Sequence, residues 1–520
     1  MTSSSPRAPR WARYALVHVL ALALIVLWLW QRNQPQSLAD VPPDASRLQC
    51  VSYAPYYRAG ESPLVEDYRV SRERIDADLE RLSKISGCVR LYSVDQGLDQ
   101  VPQLAAQHGL KVLLGAWIGG DAEKNDAELS QAIALANRYG DVVRGLIVGN
   151  EVLLRREQTA DAMAEYLERA RRETTVPVTY ADVWEFWLKN AGLAQHVDFV
   201  TVHILPYWED APQPVDGALA HVESVMERVQ AVFDKPLLIG ETGWPSEGKQ
   251  RDGARPGLIE QARFLREFLI AAEAHGWRYN IIEAFDQPWK RQLEGTVGGF
   301  WGVLDSDGRA KFAWHGDIAE RRDSARSLFA GAAGLAVAVL LALLARLRRS
   351  GALAAYGLSG AFAGVVAPLQ FEYLTLASRN GIEWAALGAV AAAGWLAWAA
   401  LPFVMAGRGR RWMRAACRAL LFALAYSGLV LAVDGRYRDF PFLLFLLPVV
   451  LFGVAAAWAR FDVLPPLPEA RLFALIAVAG AVLAWLTDWR NPQALAWAVL
   501  TVVLAGACVA RARRSPDVGA

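Results

Sequence analysis

Cysteine is scarce in this chain, with four residues in 520, too few for a scaffold stapled by disulfides. No Cys/His spacing of the zinc-binding kind is present, and no Gly-Lys-Ser/Thr loop offers a cradle for phosphate. The formal net charge is +1, so bulk electrostatics gives no reason to expect nucleic acid or an acidic partner. Apolar residues are plentiful instead: they make up 54% of the chain, and the mean hydropathy is +0.18. A chain of this length is too long for one domain. Its composition divides sharply, with a globular first part behind one apolar segment and an Ala/Leu/Val-rich remainder that reads as membrane.

The leading apolar run, residues 15–30, follows Arg7, Arg10 and Arg13. It reads as a signal peptide or an uncleaved anchor. Trp28 and Trp30 at its far end, with no small-residue cleavage site, favour an anchor over 13–31 behind a tail of residues 1–12. Seven further spans are expected near 325–346, 352–376, 383–406, 413–433, 439–459, 471–488 and 492–510, within a membrane domain of 325–511 and before a tail of 512–520. Arginines cluster in alternate loops: Arg346, Arg348 and Arg349; Arg408, Arg410, Arg411 and Arg414; Arg460 and Arg471; Arg511, Arg513 and Arg514. The intervening loops hold only Arg379, Arg436, Arg438 and Arg490. Basic loops face the cytoplasm, so both termini are expected inside and the globular part outside, on the periplasmic face of an inner membrane. Arg321, Arg322 and Arg326 dissent, diluted by Glu320 and Asp323. Glu372 lies within an expected span, where an acid is a functional candidate by default.

A linker is expected over 32–47, with Pro42 and Pro43 at its centre. From 48 to 319, eight short apolar runs (50–54, 89–92, 112–116, 146–148, 176–180, 199–204, 237–239 and 281–285) alternate with helical patterns. Ile75, Leu79, Leu82 and Ile85 form one such helix face, and residues 257–275 another. Eight strand–helix units in about 270 residues fit a closed (β/α)8 barrel. The fold class expected is therefore α/β, a TIM barrel followed by an all-α membrane domain. An open doubly wound sheet is the alternative, but no dinucleotide fingerprint accompanies the strands.

Two carboxylates stand out against this frame. Glu151 closes Gly145-Leu-Ile-Val-Gly-Asn-Glu151, and Glu241 closes Pro236-Leu-Leu-Ile-Gly-Glu241. They fall at the ends of strands four and seven, where a parallel barrel presents its chemistry. Two such acids are the minimum equipment for cleaving a glycosidic bond.

The barrel segment resembles glycoside hydrolase family 17 over nearly all of residues 48–319. The blocks that carry the resemblance are Ser52-Tyr-Ala-Pro-Tyr56, Val89-Arg-Leu-Tyr-Ser93, Val148-Gly-Asn-Glu-Val152, His203-Ile-Leu-Pro-Tyr-Trp208, Gly240-Glu-Thr-Gly-Trp-Pro-Ser246 and Glu283-Ala-Phe-Asp-Gln-Pro-Trp-Lys290. The fourth and sixth look like the bacterial, membrane-anchored branch. The resemblance implies action on β-1,3-glucan with retention, as a glucanosyltransferase or a plain glucanase, with no cofactor and no metal. A glucan-binding module serving an export or synthase complex is the reading from another class. Membrane lipid and a glucan synthase are the other expected partners.

On this resemblance Glu151 is the acid/base, Glu241 the nucleophile, and Asn150 holds the sugar 2-hydroxyl. Tyr207 is expected either to align the nucleophile or to pack. His203 is expected to pack or to act through a neighbour. Arg90 points inward and needs a carboxylate partner, either a catalytic glutamate or a structural acid. Glu283, Asp286 and Lys290 are placed near the sugar, with an Asp286–Lys290 salt bridge as the plain alternative. Trp184, Trp187, Trp208, Trp244, Trp289 and Trp301 crowd the expected mouth. Trp208 and Trp289 are favoured as sugar contacts, with Tyr53 and Tyr92 behind them. Cys50 and Cys88 begin adjacent strands, within reach of a disulfide or as two buried thiols. Cys417 and Cys508 are expected to pack within spans.

Overall fold

In a computed structural model, residues 10–512 are described, apart from Glu66, Arg348, Asp462 and Pro466. Arg7, Arg348, Arg513 and Arg514, which entered the topology argument, lie outside the described residues, as do most of both expected tails. The chain forms two compact units, one comprising Gln36–Glu247 with Gly253–Ile318, the other Met1–Pro35, Gly248–Asp252 and Ala319–Ala520.

The first unit is a closed barrel of parallel strands in chain order. They are β1 (Val51–Ser52), β2 (Cys88–Arg90), β3 (Lys111–Ala116), β4 (Val143–Asn150), β5 (Val178–Val183), β6 (Val200–His203), β7 (Leu237–Thr242) and β8 (Tyr279–Ile281). Val51 pairs with Val89 on one side and Ile281 on the other, which closes the ring. Helices pack outside through the faces expected of them. Ile75, Leu79 and Leu82 of Arg72–Ser83 are buried, as are Ile259, Phe264, Leu265, Phe268 and Leu269 of Leu258–His275. Ser71 caps the former helix by accepting the Arg74 amide. Cys50 and Cys88 are joined by a disulfide.

The strands depart from expectation where it matters most. β4, β5 and β7 run two to three residues beyond their apolar runs. β4–β5 and β6–β7 also shift register, between Ile147 and Asn150 and between Val202 and His203. Such irregularities re-aim side chains at barrel rims. The 32–47 segment is not a free tether throughout. Gln36 bridges to Ile318, and Val41 and Ala45 are buried in the barrel core.

The second unit is all-helical. Among the described residues, eight of its helices are long and apolar enough to cross a membrane: Arg10–Arg32, Ser324–Leu344, Ser350–Ala377, Gly381–Met405, Arg410–Asp434, Phe442–Ala459, Ala470–Thr487 and Pro492–Ala510. Glycines let two of them touch backbone to backbone, since a Cβ on Gly334 would lie 2.2 Å from the Gly360 carbonyl. Glu372 is paired: Arg321 donates to both of its oxygens, at 2.7 and 2.6 Å, and also holds Asp323. That pairing gives both the candidate acid and the dissenting arginine a structural role.

Candidate active site

Glu151 stands one residue past β4, and Glu241 is the penultimate residue of β7. Glu151 adopts φ 52°, a left-handed conformation, and its amide donates to the Ala181 carbonyl at 2.8 Å. Non-glycine residues are held in such a conformation only by their surroundings. Two residues earlier Gly149 has φ 82°, and a Cβ there would meet Val152 Cγ2 at 2.8 Å. Glycine is required at that position, and the turn it permits carries Glu151 inward. Ligand atoms of Glu151, Glu241 and His203 all lie within 4.8 Å of one another.

Arg90 organises this centre from β2. It is fully buried, and its Nη1 donates to the Gly240 carbonyl at 2.7 Å and to Glu241 Oε1 at 3.0 Å. Its Nη2 donates to Asn150 Oδ1 at 2.5 Å. His203 Nε2 lies 3.0 Å from the same Asn150 oxygen. With the oxygen so engaged, the Asn150 amide keeps its two N–H donors for other partners. Tyr92 donates to Glu241 Oε1 at 2.9 Å.

The two carboxyls are driven apart electrostatically. Burial, then the charges of Glu241 and Asp182, push the Glu151 carboxyl up to about 8. Burial works the same way at Glu241, but His203, Arg90, the Tyr92 hydroxyl and Lys290 together hold it below the ordinary range. Burial lowers His203 to about 4, so its ring is neutral near neutral pH and its Nε2–H donates to Asn150. Glu151, His203 and Glu241 have the donor types of a cation site, but the Arg90 guanidinium already stands against Glu241, and His203 is committed to Asn150.

Around this centre the expected residues divide. Glu283 is buried and takes Lys290 Nζ on both oxygens, at 2.9 and 3.0 Å. Asp286 does not pair with Lys290 as the plain alternative held. It accepts Lys311 Nζ and the Gly302 amide, both at 2.9 Å. Trp208 lies parallel to Trp301 at 6.2 Å, and Trp289 bonds Gln287 through Nε1. Both are half-buried. Trp184, Trp187, Trp244 and Trp301 are buried wall rather than open mouth. Trp187 donates to Thr201 O, and Trp244 to Arg255 O. Tyr207 is 1% exposed, its ring edge-on to Trp208, Trp244 and Trp301. Tyr53 is turned away from the pair, with its hydroxyl on Asp78 of the first barrel helix at 2.9 Å.

Several contributors went unread in the sequence. Asp182, at the end of β5, accepts the Tyr180 hydroxyl, which in turn receives the Leu153 amide and so braces the turn after Glu151. Burial raises Asp182 to about 6. Arg155 donates to the Asn150 carbonyl. Lys311 and Glu294 complete the β8 side. Of these only Asp182 left a signal, a carboxylate at the tip of an apolar run.

A closed parallel barrel that brings two carboxyls of opposed proton affinity together at the ends of its fourth and seventh strands is the arrangement of a glycoside hydrolase domain. Residues 50–302 match the model of the BtgE/BtgC glycoside hydrolase domain. A putative glucan endo-1,3-beta-glucosidase btgC of Aspergillus niger is 28% identical over 292 residues, covering 49% of this chain and 41% of the relative. A glucan 1,3-beta-glucosidase of Schizosaccharomyces pombe is 28% identical over 254 residues, covering 45% of this chain and 78% of the relative. The chain spans about two fifths of the length of the Aspergillus relatives it matches. Among solved structures, the family-17 beta-1,3-glucanosyltransferase of Rhizomucor miehei superposes with a TM-score of 0.46 at 23% identity, covering 52% of this chain and 97% of that one.

Proposed function

We propose that the barrel is a retaining β-1,3-glucan glucanosyltransferase, held by the helical unit at the outer face of a bacterial cytoplasmic membrane. The observation that carries the chemistry is the Glu151–Glu241 pair, with carboxyl oxygens within 4.8 Å and protonation set in opposite directions. Retention calls for carboxyls about 5–5.5 Å apart. Ionised Glu241 attacks the anomeric carbon while protonated Glu151 gives its proton to the departing glycosidic oxygen, leaving a glycosyl ester on Glu241. Glu151, now ionised, takes the proton of an acceptor hydroxyl, whose oxygen displaces Glu241. A sugar hydroxyl gives transfer, and water gives hydrolysis. The Asn150 amide donors are placed for the sugar 2-hydroxyl. Lys290 and Glu283 line the donor side.

The substrate class follows the printed names of the Aspergillus and Schizosaccharomyces relatives, both acting on 1,3-β-glucan. Those names equally support hydrolysis, which is the second reading. Transfer is favoured because eight apolar helices exceed what anchoring a degradative enzyme requires. Those helices suit synthesis or remodelling of glucan, in contact with lipid and with a glucan synthase. Arginine clustering in alternate loops supports cytoplasmic termini. The test is turnover of laminari-oligosaccharides by the full chain and by Glu241→Gln. Products longer than the substrate from the former, and none from the latter, are expected. Undiminished turnover by Glu241→Gln defeats the mechanism.

A further inference from the structure

Among the described residues of the barrel unit, six large apolar side chains are strongly exposed: Leu64, Val65, Trp117, Leu154, Val232 and Leu293. Trp117 is the aromatic one, at 41% exposure, and it is the first residue after β3. It stands on the rim beside the strand that delivers Glu151. Its position is built rather than incidental. The backbone amide donates to Glu128 Oε1 at 3.2 Å, and the guanidinium of Arg155 lies 4.2 Å from the ring centroid. Arg155 is itself fixed by the Ile118 carbonyl at 3.0 Å, by Glu157 at 2.7 Å and by the carbonyl of Asn150. One indole face is therefore covered by a clamped cation, and the exposed area belongs to the rest of the ring. An indole held flat in this way presents an apolar plane to the C–H face of a hexose.

Its side of the site assigns the sugar. Lys290, Glu283 and Trp289 crowd the β8 side, next to the strand of Glu241. Glu151 handles the proton of the leaving oxygen and then of the incoming hydroxyl, so both of those sugars lie on the β4 side, which Trp117 borders at the end of the neighbouring β3. One side chain, Arg155, links Trp117 to the backbone that carries Glu151.

We propose that Trp117, backed by Arg155, is the platform on which the acceptor sugar stacks, and that it thereby sets the balance between transfer and hydrolysis. The inference rests on the reading of Glu151 and Glu241 as a glycosyl-transferring pair. The test uses the full chain in detergent, an aryl β-laminaribioside as donor and laminaribiose as acceptor, with Trp117→Ala, Trp117→Phe and, as a control at the opposite barrel end, Val232→Ala. In Trp117→Ala the acceptor concentration for half-maximal transfer is expected to rise about five- to tenfold, with the saturating rate changed by less than about twofold. Trp117→Phe should recover most of the loss, and Val232→Ala should match the parent. An unchanged half-saturation in Trp117→Ala, or a loss confined to the saturating rate, overturns the platform while leaving the catalytic pair standing. A parent protein that consumes neither the aryl donor nor any laminari-oligosaccharide defeats the reading of the site, and the platform with it.

Discussion

Arg90 on β2 reaches Glu241 on β7 across the interior of the barrel, through an ion pair of 3.0 Å in which both side chains are almost wholly buried. The same guanidinium holds Asn150, so one cation fixes the residue before Glu151 and the carboxylate opposite it. Removing one partner of a buried pair costs about 3–5 kcal/mol, because the other charge is left without compensation. Arg90→Ala should therefore lower the unfolding free energy by that order and abolish turnover. Arg90→Lys keeps the charge but cannot span Gly240, Glu241 and Asn150 together, and should fold while losing most activity. Thermal unfolding followed beside oligosaccharide turnover separates the two effects.

The pH dependence follows from the same geometry. Activity requires Glu241 ionised and Glu151 protonated. Glu241 is held below its ordinary range, so activity rises with pH through a low value. Glu151 is raised to about 8, so activity falls again as pH passes that region. The two acids titrate as a pair, and the profile of kcat/KM reports the pair's values. Because Asp182 contributes to the upward push on Glu151, Asp182→Asn should draw the alkaline limb toward lower pH. An alkaline limb that stays in place in that variant removes Asp182 from the account.

Gly149 is a stability test of the turn that aims Glu151. With φ 82° and a prospective Cβ contact of 2.8 Å to Val152, Gly149→Ala should cost about 1–3 kcal/mol and displace the acid. The measurement is the unfolding midpoint together with kcat, and both should fall.

How much of this was legible before the structure depends on how far apart the partners lie in the chain. Seven of the strands and the strand-end positions of Glu151 and Glu241 follow from local patterns, because apolar runs and the glycines beside them are short-range signals; the eighth, Tyr279–Ile281, ends where its expected run begins. Asp182 was missed because the apolar run of β5 was read as ending at 180, whereas the strand continues to Val183. Of the six tryptophans, Trp208 and Trp289, the two favoured as contacts, are half-buried and the other four are buried. Trp187, on the short helix Trp184–Lys189, and Trp244 are buried with each indole N–H on a backbone carbonyl, which composition does not encode. Tyr92 brings its hydroxyl to Glu241 as a long-range contact from β2, and the Tyr207 ring packs among indoles. Trp117 carried no periodic or motif signal, because its significance comes from Arg155 in the next loop.

Cysteine chemistry checks the side of the membrane on which the barrel folds. Cys50 and Cys88 are bonded, and Cys417 and Cys508 are free. Alkylation of the denatured, unreduced protein should therefore label two of the four thiols, as expected of a barrel matured outside the reducing cytoplasm. Labelling of all four would place the barrel in a reducing compartment.

The central claim is double displacement at Glu241 assisted by Glu151, and the anomer first released tests it most directly. Proton NMR during the first minutes of laminari-oligosaccharide turnover, before mutarotation, should show the new reducing end or linkage in the β configuration. A first-formed α anomer would mean single displacement by water and would contradict the assignment of Glu241 as nucleophile.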